Sequence, residues 1–383
     1  MNSYDRFMPE LFRIVGGALR LDVKRVRNYT NHLADKLEKE GDKKTADRLR
    51  KMLEESDRTL RPAGAAVAAL PVDGETRFPL LENAPPIDQP LILTPATWDV
   101  VHEFIDVARS HAQLEAEGVS APLSIMLHGP PGSGKSLLAS HIAGELGFEM
   151  FTARLDGLIS SYLGSTSKNI RALFEFASER PCVLFLDEFD AIAKLRGDEQ
   201  ELGELKRVVN SFLQNLDGLE PHTVVIAATN HQELLDKAVW RRFAYRLELG
   251  YPSITERAHM WQAFLEDIPT TKRDLAILAD LSEGFSGSDI REAALRLRRQ
   301  QIASNRVARL SDAFRALLQL APGDTQLDRR FLAPLSNAPR EVVANALRER
   351  DSRLYSFNTI ARLLGVSKAT AFRLTGRAED TDG

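Results

Sequence analysis

Gly129-Pro130-Pro131-Gly132-Ser133-Gly134-Lys135-Ser136 joins an apolar run, Leu123 to Leu127, to a helix-like segment from Leu137 to Leu146. Strand, glycine-rich turn and helix in that order suit a polyphosphate. The glycines let successive backbone N–H groups, and the positive end of the following helix, face one anion. Lys135 can then reach the β- and γ-phosphates, and Ser136 can place a hydroxyl on Mg²⁺. Downstream, Val183-Leu184-Phe185-Leu186 ends in Asp187 and Glu188. Four apolar residues ending in two acids read as a buried strand that delivers carboxylates to its C-terminal tip. Asp187 would hold Mg²⁺ through water, and Glu188 would act as a base or orient the attacking water. A third apolar run, Val224 to Ala228, ends in Thr229 and Asn230. The Asn230 amide could position the lytic water or sense the γ-phosphate.

These pieces need a chain large enough to position them. With 383 residues there is room for roughly two or three domains, each with a core. Apolar residues make up 43% and charged residues 27%, which describes ordinary globular composition. The net charge of −4 gives no whole-chain field that would draw nucleic acid or membrane. Residues 1–62 and 340–377 are nevertheless richer in Lys and Arg than in Asp and Glu. The single cysteine, Cys182, excludes a disulfide within the chain and a cysteine-based zinc site, and its apolar setting makes it a buried hydrophobe. No signal-like or membrane-spanning stretch is evident, so the expectation is a cytoplasmic protein with no membrane partner.

Leu33, Leu37, Ala46, Leu49 and Leu53 recur at helical spacing, with a break near Gly41-Asp42. Residues 1–60 are therefore expected to form a helical docking domain or, equally, a small bundle with a solvated basic face. Residues 61–90 hold Pro62, Pro71, Pro79, Pro85, Pro86 and Pro90, which predicts a semi-rigid linker. Helical periodicity resumes at Thr97. His102-Glu103 begins like a zinc-protease helix, but Asp106 stands where the second imidazole is needed, so no zinc is expected there.

From Leu123 to about Asn305 these motifs resemble, in order, those of the AAA ATPases, in the branch holding katanin, spastin, FtsH and the Cdc48-type unfoldases. Gly129–Ser136 is similar to Walker A, Val183–Glu188 to Walker B and Asn230 to sensor 1. Leu216-Asp217-Gly218-Leu219 resembles a further family stretch. Gly284-Phe285-Ser286-Gly287-Ser288-Asp289 resembles the start of a lid helix where this branch lacks a sensor-2 arginine. The resemblance implies an α/β P-loop module, a parallel sheet flanked by helices, followed by an all-helical lid. It also implies ATP and Mg²⁺, with Gly287 and Ser288 near the adenine, and a homo-oligomeric ring, expected to be hexameric. The family's two inter-subunit arginines map less cleanly. Arg242 aligns with the first, Tyr245 stands at the second, and Arg241 or Arg246 could supply the missing charge. Tyr162-Leu163-Gly164 resembles the pore loop that grips a polypeptide, and Tyr162 offers a rigid amphipathic surface suited to that role. Residues 197–203 could form a second pore loop or a surface loop.

The expected organisation is a large ATPase subdomain over 91–252, a lid over 253–333 and a separate helix-turn-helix domain and tail over 334–383. Within that tail, Phe357 to Leu374 resembles a helix-turn-helix, with Gly365 in the turn and Ser367 capping the second helix. Ser367, Lys368, Thr370 and Arg373 could meet DNA phosphates or base edges; the same helices could equally serve protein contacts. Two functions follow: an ATP-driven protein remodeller threading its substrate past Tyr162, or a DNA-bound ATP switch.

Overall fold

Apolar runs bounded by glycine, proline and small polar residues become strands, and the periodic segments between them become helices. The computed structural model describes residues 30, 33–39, 42–59, 70–73, 77–119, 121–154, 163–191, 211–219, 223–321 and 330–376. They fall into two compact units, one drawn from 1–85, 143–184 and 200–224, the other from 86–142, 185–199 and 225–383.

In the first unit, residues 33–39 are helical and α1 covers Lys43–Thr59. Asp42 marks the break between them, its carboxylate accepting from the Thr45 backbone and hydroxyl. Leu33, Ala34 and Ala46 are buried, while Arg50 bridges Asp35 and Glu38. Strand β1, Leu81–Ala84, runs antiparallel to the later strand Glu149–Ala153. This corrects the linker reading of 61–90. Prolines 79 and 85 bar a helix, yet the five residues between them are enough for a four-residue edge strand, and Leu80 and Leu81 are fully buried.

In the second unit, α2 covers Pro95–Arg109, capped by Thr94, and α3 covers His111–Ala116. Strand β2, Ser124–His128, leads through the glycine turn into α4, Lys135–Leu146, whose last residues belong to the first unit. Next come β3, Glu149–Ala153, and α5, Leu163–Ser178, both in the first unit. Strand β4, Cys182–Leu186, is buried throughout. Then come β5, Thr223–Thr229; α6, Lys237–Trp240; and β6, Tyr245–Glu248. β2 pairs in parallel with both β5 and β6, so the second unit carries the order β5-β2-β6 and the first carries β1-β3-β4. Parallel strands buried on both faces explain why β2 and β5 read as unbroken apolar runs.

Cys182 is fully buried; its thiol donates to the Ala177 carbonyl, and burial pushes its pKa up to about 12. A thiolate-directed reagent should leave the native protein unlabelled and modify it only after unfolding. Rapid labelling without denaturant would contradict this burial.

The described remainder of the second unit is mainly helical: α7, Ile254–Phe264; α8, Lys272–Leu281; α9, Gly287–Ser304; and α10, Leu310–Leu320. Ser253, Thr271 and Ser286 open α7, α8 and α9 with reciprocal capping boxes. Then follow α11, Arg340–Arg350; α12, Phe357–Leu364; and α13, Lys368–Thr375. α12 and α13 form the expected tight pair. Gly365 ends α12 in the left-handed region at φ 67°, and Ser367 caps α13 by accepting from Thr370 N.

The expected boundary at 333/334 does not coincide with a change of core. Trp261, Leu278, Phe285, Ile290 and Leu317 share one hydrophobic cluster with Val343, Leu347, Tyr355, Ile360 and Ala371. Polar ties reinforce it: Arg362 pairs with Asp274 at 2.7 Å, Arg350 with Asp280 at 2.7 Å, and the Tyr355 hydroxyl donates to Asp280. The physical reason is burial. α12 and α13 are eight residues each and cannot enclose Tyr355 and Ile360 by themselves, so α8 and α10 complete their core.

Candidate functional site

The start of the glycine turn is held from two neighbouring strands. Gly129 N donates to Thr229 O at the tip of β5, and Leu249 N donates to His128 O just after β6. Gly129 has φ 143°, and a Cβ there would lie 2.1 Å from the Leu249 carbonyl oxygen. Gly132 has φ 74°, and a Cβ there would lie 2.6 Å from Ser286 Oγ. Both positions therefore exclude a side chain, one because of the sheet and the other because of the lid.

Lys135 is only 7% exposed. Its ammonium donates to Gly129 O at 2.8 Å and Pro130 O at 2.9 Å. Burial holds its pKa below the ordinary lysine value, with Asp187 and Asp190 opposing that shift. Ser136 Oγ donates to Asp187 Oδ2 at 3.2 Å. A hydroxyl and a carboxylate side by side beneath a glycine cradle form a hard-oxygen donor set suited to Mg²⁺.

Glu188 follows at φ 49°, the left-handed region that a side chain seldom occupies, with its N–H donating to Asp187 Oδ1 at 2.9 Å. Strain of this kind concentrates where a carboxylate must be aimed. The carboxylate itself is exposed. Behind it, buried Asp190 accepts from Thr229 Oγ1 at 3.0 Å, and Phe189 N donates to Ala228 O. These bonds lock the tip of β4 to the tip of β5. Asn230 stands at that second tip, and its side-chain oxygen is buried with no hydrogen-bond partner among the described residues. A buried acceptor in that state needs a donor from a ligand or water.

The lid supplies the opposite wall. Ser288 N donates to Gly132 O at 3.1 Å, and Met260 Cε approaches Gly287. The resulting cleft has a volume of about 320 Å³. It is lined by residues 131–137, Asp187, Glu188, Asn230, Gly287 and Ser288, all anticipated as site residues, together with Gln89, Leu91, Phe264 and Arg291, which were not. Gln89 fell within the supposed linker, and Leu91 is the first residue of the expected ATPase subdomain, in a stretch without a motif. Phe264 and Arg291 are ordinary helix residues whose direction no local pattern reveals. Gly129 and Pro130 enter through their carbonyls on Lys135.

The other anticipated residues are not among this lining. Arg241 and Arg242 are exposed in the turn after α6, where Ser124 Oγ donates to Arg242 O. Tyr245 donates its hydroxyl to Glu103 at 3.0 Å, and Arg246 Nε donates to Trp240 O. Tyr162 and residues 197–203 are outside the described residues, and Leu163 and Gly164 open α5. Lys368 and Arg373 are exposed on α13, whereas Ser367 and Thr370 bond to each other at the helix cap. His102 stacks on Trp98, and among the described residues no group of three or more His, Cys, Asp or Glu could hold a metal ion.

A mixed sheet, a glycine cradle that excludes side chains, a buried lysine and a Ser–Asp pair define a P-loop nucleotide hydrolase. The AAA family, "ATPase family associated with various cellular activities", matches residues 125–251. The uncharacterized AAA family ATPase y4kL of Sinorhizobium fredii is 36% identical over 266 residues, which cover 69% of this chain and 80% of that protein. The chain belongs to the AAA ATPase family and is an ATP hydrolase. The ATP-dependent zinc metalloprotease FtsH 3 of Sphaerobacter thermophilus is 38% identical over 203 residues, covering 50% of this chain and only 42% of that protein. Among solved structures, the FIGL-1 AAA domain in complex with ADP matches with a TM-score of 0.54 at 24% identity, covering 67% of this chain and 91% of that one. This last likeness concerns the fold alone. Among the described residues no helix is long and apolar enough to cross a membrane.

Proposed function

We propose that this chain is an Mg²⁺-dependent ring ATPase, working as a homo-oligomer expected to be hexameric, that remodels or unfolds protein substrates. The observation that carries the nucleotide half is the meeting of Lys135, the Ser136–Asp187 pair, Glu188 and the unsatisfied Asn230 oxygen around one cleft. In this reading the backbone of residues 129–135 cradles the phosphates and Ser136 and Asp187 hold the metal. Glu188 takes the proton of attacking water while Asn230 orients that water. Mg²⁺, when bound, would screen the phosphate charge. Arg242, exposed and outside the cleft lining, suits action on a neighbouring subunit's nucleotide, with Arg241 as the auxiliary charge because Arg246 Nε is engaged with Trp240 O.

The protein-remodelling half rests on similarity to an ATP-dependent protease over the ATPase region and on Tyr162-Leu163-Gly164. Steady-state ATP hydrolysis, measured alone, with an unfolded protein and with duplex DNA, tests it. Unfolded protein should stimulate turnover several-fold, and Tyr162→Ala should abolish that stimulation while leaving basal turnover within about twofold, since Tyr162 has no part in the nucleotide chemistry proposed above. One observation favours the DNA reading: α13 exposes two basic residues, Lys368 and Arg373, and the aromatic Phe372. Stimulation by DNA alone, indifferent to Tyr162 and lost with Arg373→Ala, would establish that second function instead.

A further inference from the structure

We propose that Arg291, on the lid helix α9, is a ligand for the nucleotide's phosphates; this rests on the reading of the cleft as an adenine-nucleotide site. Arg291 lines the same cleft as the glycine turn. It follows Gly287 by four residues and Ser288 by three, so all three share one face of α9. That face is held against the turn by the bond from Ser288 N to Gly132 O.

The rest of α9 shows what this chain does with arginines that have no ligand to meet. Arg296 and Arg299 both bind Glu292, and Arg298 binds Asp267. Arg291 is half-buried, yet among the described residues it has no hydrogen bond and no ion pair. A guanidinium cannot shed its proton, so partial withdrawal from water has to be compensated by an anion. Its planar fork of donors matches a phosphate better than a base or a ribose. The only other cation lining the cleft among the described residues is Lys135, whose ammonium is turned onto the carbonyls of Gly129 and Pro130. A lid arginine here would join the lid to the phosphates from the side opposite Lys135. It is a charge that the lid motif itself, Gly284 to Asp289, does not contain.

The test titrates ATP, ADP and adenosine into the full chain as wild type, Arg291→Gln, Arg291→Lys and Lys135→Ala. Arg291→Gln should weaken ATP and ADP about tenfold while leaving adenosine unchanged, a single charge-assisted hydrogen bond being worth that much. Arg291→Lys should recover part of the loss. Thermal unfolding without nucleotide should be unaltered, because the side chain has no protein partner to lose. Unchanged ATP and ADP affinities, or an equal loss for adenosine, would overturn the assignment of Arg291 to phosphate. If wild type and Lys135→Ala bind ADP equally well, the nucleotide reading of the cleft itself fails, and the assignment of Arg291 falls with it.

Discussion

Replacing Glu188 with Gln should leave ATP bound and uncleaved, with kcat lowered about 10²–10⁴-fold, the range a positioned general base contributes. The amide keeps the size of the side chain and leaves the Glu188 N–H to Asp187 Oδ1 bond untouched, so the left-handed backbone at this residue should persist. What disappears is the ability to accept a proton. Ser136, Asp187 and Lys135 remain in place, so ATP affinity should change little. Lys135→Ala should do the opposite. The cradle then loses its buried cation, and nucleotide binding itself should weaken before any effect on chemistry can be seen. Equilibrium binding and single-turnover hydrolysis on the two variants separate these effects. Near-normal turnover by Glu188→Gln would remove Glu188 from the role of base and return attention to Asp187 and Asn230.

The second large effect lies far from the nucleotide. Tyr355→Ala should destabilise the lid by about 3–5 kcal/mol, the usual cost of deleting a buried aromatic ring. Tyr355 is fully buried, and burial, reinforced by its bond to Asp280, holds its phenol above the usual range. Deleting it empties a ring-sized space and strips Asp280 of one donor, with Arg350 remaining as its partner. The readout should be Trp261, which is fully buried in α7 within the same cluster. In a chain whose Trp98 and Trp240 are Phe, urea unfolding followed by Trp261 fluorescence should shift to lower midpoint with Tyr355→Ala. A Trp261 transition that does not move would mean that α11 to α13 fold as a module of their own. Tyr355→Phe should cost less, about 1.5–3 kcal/mol, because only the hydrogen bond to a charged group is lost.

That shared core also bears on how the C-terminal helices could act. A helix pair on a separate tether reports nothing about the nucleotide. One packed on α8 and α10 belongs to the body that carries Gly287 and Ser288 into the cleft. Within that body Arg330 braces the start of α9. It is buried, binds Asp289 at 2.6 Å and lies over the ring of Phe285. Asp289 in turn caps α9 through Ser286, immediately before the two lid residues of the site.

Much of this was legible in the chain because the chemistry is local. Eight consecutive residues wrap a phosphate, so Gly129 to Ser136 carry their own geometry, and an apolar run ending in Asp187-Glu188 or in Thr229-Asn230 states its strand and its tip together. Caps are local too: Ser367 and Gly365 could be assigned from spacing alone, since each bonds within a few residues of itself. Four features came only from the tertiary structure. Leu81–Ala84 is a strand because Glu149–Ala153 lies beside it; by itself it is four residues between prolines. Gln89 and Phe264 reach the nucleotide cleft from segments with no motif, and direction on a helix or loop is set by what it packs against. Arg291 differs from Arg296 only in lacking a carboxylate at hand, which is a matter of distance in space. The last is the fusion of α12 and α13 with the lid. Their own pattern specifies a helix pair, but whether Tyr355 and Ile360 face water, a partner or α8 depends on contacts made across some eighty residues of chain, and hydrophobic burial carries no local signature of its partner.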